Sequence, residues 1–313
     1  KKNRDLSFVF SSGKQLDIEI KVKSAPQLDQ LEKYLDDGVQ DQLGLLSFYD
    51  INGKNDERNR NFKIGHHEVV WIPWSALIGE IRSNLHSFKS NYDSQLIEDY
   101  CDYMDQMCLL AKGVLIDWTN DPAFFLDEEV DTTLRNLRLH DLVYKSRAHM
   151  LAKEISRKAG GVNSKWPAGN VGDILTEYSM SNSTGVTTVG FLFDLNGEND
   201  PKKTVLAGIQ LQNKSYRMFL VGHKRQNVEE CAKNIFSAGF WFDVENDSGL
   251  EKYARPVSMQ NEFCQYSKNF YYRHRALKDD IPPDVVSTMM AEHVLYVKEN
   301  KKKFQNYIDN YLK

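Results

Sequence analysis

The sequence predicts an α/β fold class for the first part of the chain, followed by an α+β module. Two observations indicate this. A strand hairpin, a helix and further strands follow one another over residues 6–88, and strand-like runs separated by polar turns begin at residue 184, as in an antiparallel meander. The 313 residues suffice for two ordinary domains. We place the boundary in the turn-rich stretch 118–129 and expect domains 1–125 and 126–313.

The composition is that of an ordinary globular protein, with 41% hydrophobic and 27% charged residues. No long apolar run occurs, so we expect no membrane span, and the polar start does not fit a signal peptide. A cytoplasmic location is therefore expected. The net charge of −4 excludes an overall basic nucleic-acid binder, so such binding needs a local basic groove. The four cysteines form no C-x-x-C pair, which argues against a zinc ribbon or a disulfide framework.

A β-hairpin is predicted over residues 6–22, with its turn near Gly13. In the second strand apolar and charged residues alternate strictly, so one face can meet a core and the other can build a site. An antiparallel hairpin brings Asp5 beside Glu19 and Ile20. Two carboxylates and a nearby lysine therefore converge from adjacent strands.

This convergence suits a divalent metal. Mg²⁺ prefers oxygen ligands and is usually held by one or two carboxylates plus substrate phosphate. Asp5, Glu19 and the backbone carbonyl of Ile20 are the candidate ligands. Lys21 lies on the same face as Glu19 and can orient or help deprotonate an attacking water. The alternative is a solvated strand of alternating charges, since E-x-K alone is a weak motif.

A helix is predicted directly after this strand. Residues 24–27 form a capping-box pattern with proline in the first turn, and Leu28, Leu31 and Leu35 form an apolar stripe. Gln30 lies on a different face, from which its amide can reach the site and bind a phosphate or position a water. An ordinary exposed glutamine is the alternative interpretation.

The complete pattern resembles the PD-(D/E)XK nuclease superfamily. It is most similar to members with an Asp on one strand, here Asp5, an E-x-K on the next, here Glu19 to Lys21, and a Q-L-x-x-Y helix, here Gln30 to Tyr34. The resemblance implies a restriction-endonuclease-like core with a central mixed sheet flanked by helices. It also implies one or two Mg²⁺ ions, with Mn²⁺ as a substitute, and hydrolysis of phosphodiester bonds.

Residue by residue, the resemblance implies that Asp5 and Glu19, with the Ile20 carbonyl, hold the metal. Lys21 matches the catalytic lysine and Gln30 the glutamine of the helix. The chain departs from the commonest form of the motif in two places. Arg4 stands where a Pro often precedes the Asp, and Ile20 where an Asn often lies between Glu and Lys. Neither of these side chains binds the metal.

The resemblance favours DNA over RNA as the substrate and suggests an endonuclease in prokaryotic anti-phage defence or restriction. A homo-oligomer or a partner protein of a defence system is left open as the assembly. The alternative function is a catalytically inactive module that binds nucleic acid or protein and retains the nuclease fold. The presence of Asp5, Glu19, Lys21 and Gln30 argues against that alternative.

Further elements are predicted in the remainder of the first domain. A third strand is expected at 45–49, then a polar loop at 55–61 and a strand at 68–74 that enters a helix at 75–88. The adjacent His66 and His67 are expected to point to opposite faces of a strand. A long helix is expected from 92 to 114, with the stripe of Leu96, Tyr100, Tyr103, Met107 and Leu110 in the core.

The second half is expected to be accessory, serving substrate recognition or oligomerisation. Elements are predicted as a helix at 134–158, meander strands at 184–195, 203–212 and 215–222, a helix at 227–238, a strand at 240–244 and a final helix at 283–312. The basic end of the first of these helices either tracks a phosphate backbone or forms a solvated face. Aromatic and basic side chains alternate over residues 270–275, either as a nucleic-acid contact or as a buried strand.

Overall fold

A computed structural model describes residues 5–22, 28–36, 42–49, 60–88, 90–160, 168–171, 174–181, 186–194, 205–212, 214–223, 227–237, 254–255 and 264–311. The chain divides into two compact units, residues 1–115 with 134–150, and residues 116–133 with 151–313. The domain boundary predicted after residue 125 lies within the segment 116–133. Over the described ranges, no helix has both the length and the apolar character needed to cross a membrane.

The described part of unit 1 is built on a five-stranded mixed sheet. Its strands are β1 (Leu6–Val9), β2 (Gln15–Ile20), β3 (Gln42–Ser47), β4 (Asn61–Ile64) and β5 (His67–Pro73). They lie in the order β1-β2-β3-β5-β4, with β2, β3 and β5 parallel and the two edge strands antiparallel to their neighbours. The predicted α/β class and the mixed sheet are confirmed. The predicted hairpin is present, and Gly13 has the left-handed φ of +83° that its turn requires.

Helices pack on both faces of this sheet. They are α1 (Leu28–Asp36), α2 (Trp74–Ser83) and α3 (Asn91–Gly113), with a short 3₁₀ turn at Leu85–Ser87. On one face, α1 packs Leu31 and Leu35 against β3 and β5, as its predicted stripe requires. On the other face, α2 and α3 pack against Ile18 and Leu46. The central strand β3 is buried on both faces, which explains its nearly continuous apolar run.

Two details of the first unit differ from the expectation. The strand expected at 45–49 covers Gln42–Ser47, and the end of the predicted polar loop leads into the strand β4. His66 and His67 do not point to opposite faces, because their ring centroids are 3.8 Å apart, with the ring planes tilted by 38°. His66 belongs to the turn that begins at Gly65, where φ is +59°, so the alternation of a strand does not apply to it.

The long helix α3 forms with nearly the predicted bounds, and Ser90 caps it by accepting a hydrogen bond from the Asp93 N–H. The predicted core face was right only in part. Met107 is buried, but Leu96, Tyr100 and Tyr103 are exposed, and Cys101, Met104 and Ala111 are the residues that pack against the sheet with Met107. Small and flexible side chains allow the helix to approach the sheet closely, and the bulky tyrosines lie on the outer side.

Tyr49 fixes the C-terminal end of α3. Its hydroxyl donates to the Ala111 carbonyl at 2.7 Å, and burial raises the pKa of Tyr49 to about 12.

The helices α4 (Glu128–Asn136) and α5 (His140–Lys158) follow. Unit 2 then contains an antiparallel sheet of eight described strands. The strands are β6 (Ala168–Val171), β7 (Ile174–Ser181), β8 (Val186–Asp194), β9 (Val205–Gln212), β10 (Ser215–Gly222), β11 (Ala254–Arg255), β12 (Cys264–Ser267) and β13 (Phe270–Leu277). The order is β11-β13-β10-β9-β8-β7-β6, with β12 also paired to β13. The predicted meander is therefore present as β8, β9 and β10, inside a larger sheet.

The helices of this unit are α6 (Glu229–Ser237), α7 (Pro283–Glu299) and α8 (Lys301–Tyr311). The helix expected to run continuously over 283–312 is interrupted at Asn300. Both the backbone N–H and the side-chain amide of Asn300 donate to the Tyr296 carbonyl, which ends the first helix. The strand expected at 240–244 lies outside the described residues.

One side chain of the large sheet crosses a neighbouring strand. Phe219 lies over Gly208 of β9, so that a Cβ atom at residue 208 would be 2.0 Å from Cζ of the ring. The ring is buried and stacks on Phe270 with centroids 5.2 Å apart. Glycine at residue 208 is therefore required by this close approach.

We expect the Gly208→Ala substitution to lower the free energy of unfolding by about 1–3 kcal/mol, because the added methyl group displaces a buried ring. Urea denaturation measures this loss. Gly79→Ala is the matched control, since residue 79 is exposed in a helix with no atom near its Cβ position, and it should stabilise by about 0.5–1 kcal/mol. Equal effects of the two substitutions would contradict the packing argument. In the Gly208→Ala/Phe219→Leu double variant the losses should be less than additive.

Candidate active site

The strand β2 places Glu19 and Lys21 on one face of the sheet, because they are two residues apart. Glu19 is 3% exposed, and its Oε1 lies 2.6 Å from the ammonium nitrogen of Lys21. The backbone of Lys21 is fixed on both sides. Its N–H donates to the Leu46 carbonyl at 2.8 Å, and its carbonyl accepts from the indole Nε1 of Trp74 at 3.2 Å. The predicted E-x-K pair is therefore brought together as a buried ion pair.

Gln30 joins the two charged groups, as its helix position predicts. Lys21 donates from Nζ to Oε1 of Gln30 at 2.7 Å, and Nε2 of Gln30 donates to Oε1 of Glu19 at 2.8 Å. Only this orientation of the amide satisfies both contacts, because an ammonium has no acceptor and a carboxylate has no donor. The side chain is thus a fixed bridge and not an ordinary exposed glutamine.

Tyr34 also belongs to this cluster, although sequence reasoning assigned it no role. It lies one helical turn beyond Gln30, whose Nε2 donates to the tyrosine oxygen at 2.9 Å. Burial raises the pKa of Tyr34 and the negative charges of Glu19 and Asp5 raise it further, which outweighs the opposite effect of the Gln30 bond. The phenol is therefore kept neutral. The four-residue spacing from Gln30 was the signal available in the sequence.

Asp5 reaches the site through the hairpin. Its Oδ2 accepts the backbone N–H of Ile20 at 2.8 Å. The N–H and the C=O of a strand residue point towards the same neighbouring strand, so the Ile20 carbonyl lies on the side of β2 where Asp5 is. The predicted approach of Asp5 to Ile20 is thus present in the geometry.

One oxygen of the Glu19 carboxylate makes no hydrogen bond with the described residues. Within the part of the chain that the structure describes, Oε2 of Glu19 is buried and accepts no hydrogen bond. A buried carboxylate oxygen without a donor is costly unless a cation or water binds it. Among the described residues, no group of three or more His, Cys, Asp or Glu side chains that could hold a metal ion is present. The candidate ligands predicted from the sequence are a carboxylate pair and a carbonyl. This small set fits Mg²⁺, which keeps several waters.

A third carboxylate on the same face has a different role. Asp17 is buried, and it accepts from Oγ of Ser7 at 2.5 Å and from Nε2 of Gln15 at 2.7 Å. Ser7 lies directly opposite Asp17 in the hairpin register. The bond from Ser7 connects β1 to β2 next to Asp5, so it holds the strand that carries this candidate ligand.

Several of the other residues considered for nucleic-acid contact are buried or bonded within the protein. Arg147 on α5 is buried and donates to the Val114 carbonyl at 3.2 Å. Lys158 donates to Asp284, Ser287 and Thr288 of α7. The aromatic and basic run of β13 is divided between two faces of its sheet, since Tyr271 and Arg273 are buried while Phe270, Tyr272 and His274 are half-buried on the other face.

We expect the Lys21→Met substitution to lower the free energy of unfolding by about 3–5 kcal/mol in EDTA, because it leaves the buried Glu19 charge without its cation. The Glu19→Gln/Lys21→Met double variant should lose clearly less. Urea denaturation of both variants measures the difference. Lys63→Met, on the exposed side of β4, is the matched control and should change stability by less than about 0.5 kcal/mol. Equal losses in the single and double variants would contradict a stabilising ion pair.

Comparisons with known proteins give no independent indication of function. No protein-family model matches the chain. Searches of curated proteins and of solved structures likewise find no match. The assignment of a function therefore depends on the cluster formed by Asp5, Glu19, Lys21, Gln30 and Tyr34.

Proposed function

We propose that the chain is a metal-dependent nuclease that hydrolyses phosphodiester bonds. One observation carries the proposal. The Glu19 carboxylate is buried and bound on Oε1 by Lys21 and Gln30, while its Oε2 accepts no hydrogen bond from the described residues. A structural ion pair does not need such an oxygen, whereas a metal ligand does.

The fold agrees with this proposal. A mixed sheet with helices on both faces and the charged residues at the end of β2 is what a restriction-endonuclease-like core requires. We therefore extend the proposal to that core for unit 1. The helix α1, which follows β2 in the chain, supplies Gln30 and Tyr34 from the face that carries Glu19.

Asp5, Glu19 and the Ile20 carbonyl would hold Mg²⁺ or Mn²⁺. When bound, such a cation supplies positive charge at the phosphate and acidifies water. Glu19 contributes its free oxygen to this purpose, and Asp5 contributes the carboxylate that the Ile20 N–H holds in place. The two ligands come from the two strands of one hairpin, so the turn at Gly13 sets their separation.

Lys21 acts on the reacting groups. An ammonium carries three N–H donors, and in the described region two of them are used by Glu19 and Gln30. The third donor is available to a water or a phosphate oxygen, where it orients the nucleophile or stabilises developing negative charge. Gln30 fixes the direction of this donor, and the neutral Tyr34 accepts a hydrogen bond from the second N–H of the Gln30 amide.

DNA is the proposed substrate, on the strength of the motif resemblance. RNA is the competing substrate, and the experiment below includes it. The proposed setting is prokaryotic defence or restriction, and it follows from the same resemblance. An inactive binding module would not need the intact set of Asp5, Glu19, Lys21 and Gln30.

We expect the purified chain to cut nucleic acid in Mg²⁺ or Mn²⁺ and not in EDTA. Plasmid, linear duplex DNA, single-stranded DNA and RNA are incubated separately, and the products are resolved on gels. Glu19→Gln and Lys21→Met should each reduce the cleavage rate by roughly 100-fold or more, because each removes a charge that acts on the phosphate or the water. Asp5→Asn should raise the Mn²⁺ concentration needed for half-maximal cleavage.

Matched controls come from the same sheet. Glu68→Gln and Lys63→Met make the same chemical changes at exposed residues of β5 and β4 and should leave cleavage unchanged. Cleavage that survives in both Glu19→Gln and Lys21→Met would overturn the proposed site. Manganese binding measured by electron paramagnetic resonance separates the two roles, because Glu19→Gln should weaken it and Lys21→Met should not.

A further inference from the structure

The strand β1 lies at the edge of the sheet, and it and the following residue, Phe10, expose four apolar side chains. Leu6 is 44% exposed, Phe8 48%, Val9 73% and Phe10 52%. In the described sheet β1 pairs with β2 on one side only. An exposed apolar edge offers its backbone groups to another strand, and natural proteins normally protect such edges with charges, proline or a cover. Residues 6–10 contain neither a charge nor a proline.

The hydrogen-bond pattern shows which backbone N–H and C=O groups of β1 point away from β2 and could pair with another strand. The Phe10 N–H donates to the Lys14 carbonyl, and pairing alternates along an antiparallel ladder. In the observed register Leu6 and Phe8 therefore bond to β2, opposite Ile18 and Leu16. The N–H and C=O groups of Ser7 and Val9 point away from β2, towards the free edge.

The side chains of β1 are also sorted by face. Leu6 and Phe8 lie on the face of Ile18 and Leu16, which is the face that α2 and α3 cover further along the sheet. Ser7 lies on the opposite face, where it donates to Asp17. A strand that pairs with β1 thus meets apolar side chains on one face and leaves the candidate active site on the other.

We infer that β1 binds β1 of a second copy of this chain, antiparallel, about a two-fold axis at Phe8. In this register Ser7 forms a hydrogen-bonded pair with the partner's Val9, and Val9 pairs with the partner's Ser7. Phe8 then faces the partner's Phe8 as a non-hydrogen-bonded pair, in which side chains are closest.

Several features favour a second copy over another partner. Leu6 and Phe10, two residues before and after Phe8, are both apolar and exposed, so two-fold symmetry about Phe8 places apolar side chains opposite apolar side chains. The same register places Leu6 beside the partner's Phe10, which unites the apolar side chains of both copies on one face. The absence of charge over residues 6–10 means that the pairing opposes no like charges.

The pairing joins two five-stranded sheets into one continuous sheet. A two-fold axis perpendicular to the sheet preserves its faces, so both candidate active sites lie on the same side. One strand pair buries less than the roughly 800 Å² per partner of a typical stable interface. The dimer is therefore concentration-dependent, and it requires neither metal nor cleavage, so it stands independently of the nuclease proposal.

Sedimentation velocity of the full chain over a wide concentration range tests the dimer. The wild-type chain should pass from monomer to dimer as concentration rises. Phe8→Glu places two like charges opposite each other and should raise the dissociation constant by roughly 100-fold. Val9→Pro removes an outward N–H without breaking a bond to β2 and should also abolish the dimer. Tyr92→Glu, at a 74% exposed aromatic residue on α3, is the matched control and should dimerise as the wild type does.

Disulfide trapping gives a second readout that does not depend on affinity. Facing Cα atoms of a non-hydrogen-bonded pair are about 4.5 Å apart, within the range that a disulfide spans. The Phe8→Cys variant oxidised with diamide should form a covalent dimer, and Tyr92→Cys should not. A wild-type chain that remains monomeric at every concentration, together with equal trapping of the two cysteine variants, would overturn the inference. So would a dimer that Phe8→Glu and Val9→Pro leave intact.

Discussion

Burial of the Glu19 charge is the constraint on which the rest of the first unit depends. A carboxylate that is almost fully removed from water must be compensated by cations and donors, or the fold loses several kcal/mol. Lys21 and Gln30 supply that compensation on one oxygen. The helix α1 must therefore lie where Gln30 reaches β2, and its leucine stripe packs against β3 and β5 to hold it there.

The same constraint explains features that are remote from the charges themselves. Trp74, at the first residue of α2, donates its indole N–H to the Lys21 carbonyl and so ties the end of β2 to the helix on the opposite face. Ser7 and Asp17 tie β1 to β2 and hold Asp5 close to Ile20. Each of these contacts fixes a backbone position. The site depends on such fixed positions because they hold its charged side chains in place.

Local pattern was sufficient to predict the hairpin, α1 and the meeting of Lys21 with Gln30, because strand alternation and helix periodicity decide those contacts within a few residues. It did not decide which side of α3 is buried. Tyr100 and Met104 are one helical turn apart, so the predicted stripe and the buried residues are neighbouring parts of one wide apolar face. Only the packing against the sheet decides which part of that face is buried. The turn at Gly65 and the helix end at Asn300 depend on single backbone conformations or capping bonds, which periodicity does not report.

The candidate site is compact along the chain. Asp5 and Ile20 are 15 residues apart, Glu19 and Gln30 are 11 apart, and Lys21 and Gln30 are 9 apart. Loops of this length close quickly and at small entropic cost, whereas the pairing of β3 with β5 must bring together more distant segments. The hairpin and the helix after it can therefore associate early during synthesis or refolding. From these separations alone, we expect the charged cluster to form before the sheet is complete.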